Sequence, residues 1–165
     1  MSAGYTLVSR AVSHGSCDAL IDAADGAERI VMPHRSHPVF GLAMRSCSHL
    51  AREWLGPRVS GLGSDYFGVS AAFPTHRDND FVGALPGAFM SVWLALADVT
   101  LDNGPLVIEG RPIPCQKGDA ILIDGDTPHR SCAGRGPRPV ALFTYIQTGS
   151  PFRPGKTQQR AEVPL

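Results

Sequence analysis

The chain carries two different hydrophobic textures, and they predict different structure. In its first third the apolar residues recur with helical spacing. Ser16 stands as a cap before a short helix that puts Cys17, Leu20, Ile21 and Ala24 on one face. Gly41 to Leu55 reads as a single longer helix. Ala43, Met44, Cys47, Leu50, Ala51 and Trp54 form its apolar stripe, Arg45, His49, Arg52 and Glu53 its polar face, and Gly56-Pro57 its end. Tyr5 to Val12 and Arg29 to Met32 read as brief strands. From Tyr66 the texture changes to short apolar runs: Tyr66 to Phe73, Phe89 to Val99, Leu106 to Glu109, Ala120 to Ile123 and Val140 to Ile146. Turn signals separate them, among them Leu85-Pro86-Gly87, Asp102-Asn103-Gly104-Pro105, Lys117-Gly118-Asp119 and Asp124-Gly125-Asp126. Strands at this spacing predict an antiparallel sandwich or barrel with helices packed outside it, a mainly β protein with flanking helices.

Composition narrows the class. At 165 residues the expectation is one domain. Its parts are a helical N-terminal portion over about 1–60, a β core over about 61–148 and a flexible tail over 149–165, which reads as a loop or a lid that orders with ligand. Apolar residues make up 43% and charged residues 18% of the chain, which suits a globular protein. The formal charge is zero with no basic run, so nothing offers a nucleic-acid footprint. No apolar stretch approaches a membrane span. The start, MSAGYTLVSR, does not read as a signal peptide. Four cysteines without C-x-x-C spacing (Cys17, Cys47, Cys115, Cys132) suggest free thiols and a cytoplasmic location. Oligomeric state is not legible.

The chemistry concentrates in Thr75-His76-Arg77-Asp78 and Pro128-His129-Arg130-Ser131. Two histidines and a carboxylate can hold one face of an octahedral metal and leave three positions open, the arrangement of non-haem Fe(II) oxygenases. In an extended segment His76 and Asp78 point the same way. His129, 51 residues after Asp78, must arrive on another strand. An isolated H-x-D is common in solvated loops, so the weight comes from the residues toward the C-terminus. Arg138 opens the last apolar strand, where a buried guanidinium needs an anionic partner. A co-substrate carboxylate would supply it. His34 and His37 form an H-x-x-H between prolines, read as loop residues or a lining of the substrate entrance. His49 and His14 belong to helices.

From Phe73 to Tyr145 the chain resembles the phytanoyl-CoA dioxygenase (PhyH) family of Fe(II)/2-oxoglutarate oxygenases. The resemblance rests on His76-Arg77-Asp78, the strand Val92 to Asp98, Asp102-Asn103-Gly104-Pro105-Leu106, Gly118-Asp119, His129-Arg130-Ser131 and Arg138, in that order. It implies a double-stranded β-helix, a jelly-roll or cupin-like core. It implies Fe(II) held by His76, Asp78 and His129 as the catalytic centre, with O₂ as oxidant. It also implies 2-oxoglutarate bound by Arg138 with help from Ser131, and Trp93 flanking the co-substrate. The family's Pro-Gly-Ser-His segment and long insertion are missing: here the chain reads Ile108-Glu109-Gly110-Arg111-Pro112. Arg135 competes with Arg138 but stands between glycines in a turn.

The expected function is an Fe(II)- and 2-oxoglutarate-dependent dioxygenase that hydroxylates or otherwise oxidises a small, biosynthetic molecule. The alternative is a cupin-like metal-dependent isomerase or small-ligand-binding protein that uses no 2-oxoglutarate. A related halogenase would need a small residue in place of the carboxylate, and Asp78 argues against it. Arg77 and Arg130, alternating with the ligand positions, are expected to face away from the metal. Asn79, Asp80 and Arg111 are candidates for the pocket mouth.

Overall fold

The period-two runs pair into two antiparallel sheets that face one another across the core. A computed structural model describes residues 4–165; the first three residues of the N-terminal stretch lie outside it. The strands are β1 (Tyr5–Val8), β2 (Arg29–Val31), β3 (Val59–Val69), β4 (Phe73–His76), β5 (Phe89–Ala95), β6 (Leu106–Ile108), β7 (Arg111–Ile113), β8 (Ala120–Asp124), β9 (His129–Ser131) and β10 (Pro137–Gln147). The helices are α1 (His14–Ala24), α2 (Pro38–Ser46), α3 (Ser48–Leu55) and the short α4 (Asp78–Val82). One sheet has the order β1-β8-β5-β10-β3-β2, the other β4-β9-β6-β7. This is the jelly roll the sequence implies, with α1 to α3 laid on the outer face of the larger sheet.

Alternation along the central strands sorts the core into two layers. Met90, Val92 and Leu94 of β5, with Ala141, Phe143 and Tyr145 of β10, pack against the helices through Cys17, Leu20, Phe40, Met44, Leu50 and Leu55. The opposite faces point between the sheets, where Trp93, Ala95, Ile121, Ile123 and Val140 meet Leu106 and Ile108. β5 is buried along its whole length for this reason, both of its faces being covered. Tyr145 ties α2 to the sheet: fully buried, its hydroxyl donates to the Met44 carbonyl at 2.7 Å. Tyr145→Phe should leave that carbonyl unpaired in an apolar layer. A loss of about 1–2 kcal/mol in urea unfolding is expected, with the secondary structure unchanged by circular dichroism.

Two helix readings need correcting. α1 begins earlier than Ser16: Ser13 is its cap, and the Ser13 hydroxyl accepts the Ser16 N–H at 3.1 Å. The stretch Gly41 to Leu55 is not one helix but two, starting at Pro38 and broken at Cys47. There ψ is −5°, and the Cys47 carbonyl accepts from Leu50, three residues on. The bend lets Phe40 and Met44 of one half and Leu50, Ala51 and Leu55 of the other all reach the sheet. A straight helix could not keep both sets in register over a twisted surface.

The missing insertion has a simple replacement. β6 turns into β7 through Glu109 and Gly110 alone, both at positive φ (52° and 76°), a two-residue hairpin turn whose twist matches the strands it joins. Elsewhere Gly104 (φ 96°) lets the Asp102–Pro105 turn lie against the β3–β4 connection. A Cβ there would sit 2.5 Å from the Ser70 side chain. The tail 149–165 runs back along β3, where Gly61 and Val163 exchange two backbone hydrogen bonds of 2.9 and 2.8 Å. No helix among the described residues is long and apolar enough to cross a membrane.

Candidate metal and co-substrate site

A cavity of about 480 Å³ opens between the sheets, and His76, Asp78, His129 and Arg138 all line it. His76 closes β4 and His129 opens β9, and the two are direct partners in the antiparallel register. This pairing cancels the 51-residue separation: their rings stand 4.4 Å apart, centre to centre. Arg77 is extended (φ −116°, ψ 135°), so Asp78 follows on the same side as His76, as the first residue of α4. Asp78 Oδ1 lies 3.3 Å from His76 Nε2 and 3.6 Å from His129 Nε2. Metal–ligand bonds of about 2.0–2.2 Å place neighbouring ligand atoms roughly 3 Å apart, so a small adjustment brings all three onto one ion.

The protein fixes which imidazole nitrogens face that point. His76 Nδ1 lies 2.9 Å from the Pro74 carbonyl and His129 Nδ1 3.0 Å from the Thr127 carbonyl. A carbonyl only accepts, so each Nδ1 carries the proton and each Nε2 presents a lone pair to the cavity. Burial alone would raise the Asp78 carboxyl. Without a metal, a proton on His76 Nε2 hydrogen-bonds the carboxylate. This bond, the attraction of His129 when it too is protonated, and the Ser91 hydroxyl outweigh burial and hold the group below its ordinary range, as a carboxylate; a metal would take the place of those Nε2 protons. Burial likewise works to lower His76, and the Asp78 carboxylate with the Pro74 carbonyl raises it overall.

Ser91 is the residue that sequence reasoning missed here. It is fully buried on β5, and its hydroxyl donates to Asp78 Oδ2 at 2.5 Å. The signal was present: one polar residue inside a wholly apolar strand needs a partner. Ser91→Ala should weaken metal affinity by roughly 10–100-fold, read by competition with a chromophoric chelator, while the fold is retained. Asn79 braces the same loop. Its side chain donates to the Ala84 carbonyl (3.1 Å) and Asp126 (3.0 Å) and accepts from the Ala84 N–H (2.8 Å), tying the α4 turn to the segment that leads into His129.

Arg138 stands across the cavity from the triad's strands, 4% exposed on β10, its guanidinium 5.3 Å from the centre of the Trp93 ring. Nε and Nη1 are buried and find no hydrogen-bond partner among the described residues. Burial lowers its pKa to about 10, so it stays charged at neutral pH. A buried cation without partners is costly unless an anion completes it. Ser131 lines the same space but its hydroxyl already donates to the Ala71 carbonyl at 3.0 Å. Trp93 supports the guanidinium from one face.

The remaining candidates fall elsewhere. Arg135 is exposed in its turn, and Arg77 and Arg130 lie outside the cavity lining. Asn79 and Arg111 do not line the mouth: one is committed to its brace and the other is exposed on β7. Asp80 is likewise outside the lining. His34 does not reach the cavity surface; its Nδ1 bonds the Ser64 hydroxyl at 2.7 Å. His37 bonds Ser36 in an exposed position. All four cysteines are free.

Residues 29–108 match the phytanoyl-CoA dioxygenase (PhyH) family. Over these residues the chain is similar to that family. The match spans just under half of the chain and takes in His76, Asp78 and Trp93, while His129 and Arg138 lie beyond it and join through the fold. Comparison with curated protein sequences finds no match. Among solved structures, the chain is similar to the non-haem α-ketoglutarate-dependent epimerase SnoN from nogalamycin biosynthesis. They share 16% identity at a TM-score of 0.82, over 99% of this chain and 90% of that one. It is similar to the carbocyclase SnoK of the same biosynthesis at 16% identity and a TM-score of 0.83, over 98% and 92%. HygX from Streptomyces hygroscopicus, with nickel and 2-oxoglutarate bound, matches at 12% identity and a TM-score of 0.76, over 90% and 84%. These likenesses establish the jelly-roll fold.

Proposed function

We propose that the chain is an Fe(II)- and 2-oxoglutarate-dependent dioxygenase that oxidises a small molecule. The observation that carries this reading is Arg138: a buried, unpartnered guanidinium facing the same cavity as a two-histidine, one-carboxylate cluster. A cupin-like isomerase or binding module has use for the cluster but none for the cation. His76 and His129 would hold iron through Nε2 and Asp78 through its carboxylate. When bound with 2-oxoglutarate and O₂, iron would supply the oxidising power, the co-substrate being converted to succinate and CO₂. Arg138 would take the distal carboxylate of 2-oxoglutarate, Trp93 would keep the guanidinium in place, and Ser131 would shape the wall beside it.

The substrate class follows from the cavity. At about 480 Å³ it suits a small ligand beside the co-substrate. SnoN has been crystallised with nogalamycin RO and HygX with hygromycin B, both small molecules. Hydroxylation is the outcome we favour, in a cytoplasmic biosynthetic setting consistent with the free thiols. The neighbours' epimerase and carbocyclase activities show that one fold serves several outcomes, so the test must read more than one. Protein loaded with Fe(II) should be incubated with 2-oxoglutarate, O₂ and a library of natural-product intermediates, then analysed by mass spectrometry. Gain of one oxygen atom is expected. Loss of two hydrogens would indicate ring closure, and exchange of one hydrogen for solvent deuterium would indicate epimerisation. Product formed equally well without 2-oxoglutarate would favour the isomerase reading. Because Asp78 occupies the position a halide would need, the wild type should give no chlorinated product even at high chloride.

A further inference from the structure

The tail beyond β10 brings Gln158 and Arg160 to the cavity lining, and the backbone that carries Arg160 is firmly held while its head group is not. Arg35 donates to the carbonyls of Gln158 (3.0 Å) and Gln159 (2.7 Å). Gly61 and Val163 are bridged, and Glu162 accepts from the Ser60 hydroxyl at 2.7 Å and the Gly149 N–H at 3.0 Å. Arg153 bonds the Val82 carbonyl through its N–H (2.7 Å) and the Asp80 carbonyl through its guanidinium (2.6 Å). Gln159 is held at φ 50°, a conformation that a non-glycine residue keeps only when its surroundings enforce it. All of this fixes the backbone that carries Arg160, itself bonded from its N–H to the Pro154 carbonyl at 2.8 Å.

The Arg160 guanidinium is half-buried in the cavity wall. Only Nη1 makes contacts, at 3.4 and 3.5 Å to the carbonyls of Phe81 and Arg153, at the outer limit of a hydrogen bond. No carboxylate lies within ion-pair distance of it among the described residues; the nearby Asp65 is paired with Arg29 at 3.5 Å. Around it the wall is apolar: Phe67, Val69, Phe73 and Phe81 line the same space. Phe73 and Phe81 are each about half exposed, and both flank the His76 ring. A pre-positioned, under-committed cation beside an aromatic rim is the arrangement that recognises an anion on an apolar body.

We propose that Arg160 is the residue that determines substrate specificity, taking the carboxylate or phosphate of an otherwise apolar, aromatic-sized substrate while Phe73 and Phe81 cover its body. This rests on the reading of the cavity as a substrate chamber served by Arg138. The test uses 2-naphthoate, 2-naphthyl phosphate and the neutral 2-naphthamide as probes, with dissociation constants from ligand-observed NMR on zinc-loaded protein. Saturating 2-oxoglutarate keeps the probes from Arg138, and a parallel set in Arg138→Met without 2-oxoglutarate serves the same end.

In the wild type at least one acid should bind about tenfold or more tightly than the amide, the effect of one charge-assisted hydrogen bond. Arg160→Ala and Arg160→Gln should erase the difference and leave the 2-oxoglutarate affinity unchanged. The stronger of the two acids identifies carboxylate or phosphate as the group recognised. Equal binding of acids and amide in the wild type would overturn the proposal, as would a preference that survives both substitutions. So would a fall in 2-oxoglutarate affinity in their place. If 2-oxoglutarate fails to bind the wild type at all, the proposed function falls, and the Arg138→Met set still decides Arg160.

Discussion

Asp78→Ala is expected to lose iron binding and 2-oxoglutarate turnover together. The carboxylate is the geometric centre of the cluster: its Oδ1 faces both Nε2 atoms, at 3.3 and 3.6 Å. Without it two neutral imidazoles remain, which hold a divalent ion far more weakly. The loss should exceed the roughly 10–100-fold typical of removing a ligand's hydrogen-bond partner. The fold should survive, because Asp78 sits at the start of a five-residue helix and not in either apolar layer. The substitution also strands the Ser91 hydroxyl, at a cost of about 1–3 kcal/mol, so stability is checked in the same samples by urea unfolding. His76→Ala and His129→Ala should behave alike. Near wild-type iron binding in any of the three would remove that residue from the ligand set.

Arg138→Met should separate co-substrate from metal. Iron affinity should be unchanged, since the guanidinium faces the ligand and not the ion. The 2-oxoglutarate affinity should fall by an amount corresponding to about 2–5 kcal/mol, the cost of truncating one partner of a buried charge pair. The metal-free protein should be no less stable than the wild type, because methionine fills apolar space where an unpaired cation is costly. Gain or parity in stability together with loss of affinity is the signature of a group retained for a ligand. In thermal unfolding, 2-oxoglutarate at 100 times its dissociation constant should stabilise iron-loaded wild type by about 2.7 kcal/mol and Arg138→Met scarcely at all. Arg135→Ala, changed in an exposed turn, serves as the control; if it loses the affinity and Arg138→Met does not, the role moves to Arg135.

How much of this was legible in the sequence depended on how local each signal is. β5 and β10 show as apolar runs because burial leaves few polar positions, as β5 illustrates, whereas β3 spans Val59–Val69 and not Tyr66 to Phe73, its first half being hidden by Ser60, Gly61, Gly63, Ser64 and Asp65. The candidate site residues stood out because the H-x-D spacing survives whatever strand carries it, and because Arg138 is anomalous at the head of an apolar run. Of the small sheet only β6 was legible, as the run Leu106 to Glu109. β4, β7 and β9 are three or four residues long, with exposed polar positions, and they exist through pairing and not through propensity. The break at Cys47 was hidden because the apolar stripe continues across it. Arg160 was hidden for another reason: in a stretch of polar residues, only the fastenings supplied by Arg35, Ser60 and Gly61 reveal which side chain is aimed inward.

The central claim is that one metal and one 2-oxoglutarate share this cavity, the ion on His76, Asp78 and His129 and the distal carboxylate on Arg138. Anaerobic calorimetry tests it most directly, titrating 2-oxoglutarate and then 2-oxobutanoate, which lacks the distal carboxylate, into wild type and Arg138→Met, with and without Fe(II). The account predicts a single site for 2-oxoglutarate that depends on the metal. It also predicts a strong preference over 2-oxobutanoate in the wild type, collapsing in Arg138→Met. Metal-independent binding, no binding, or a preference that persists without Arg138 would contradict it.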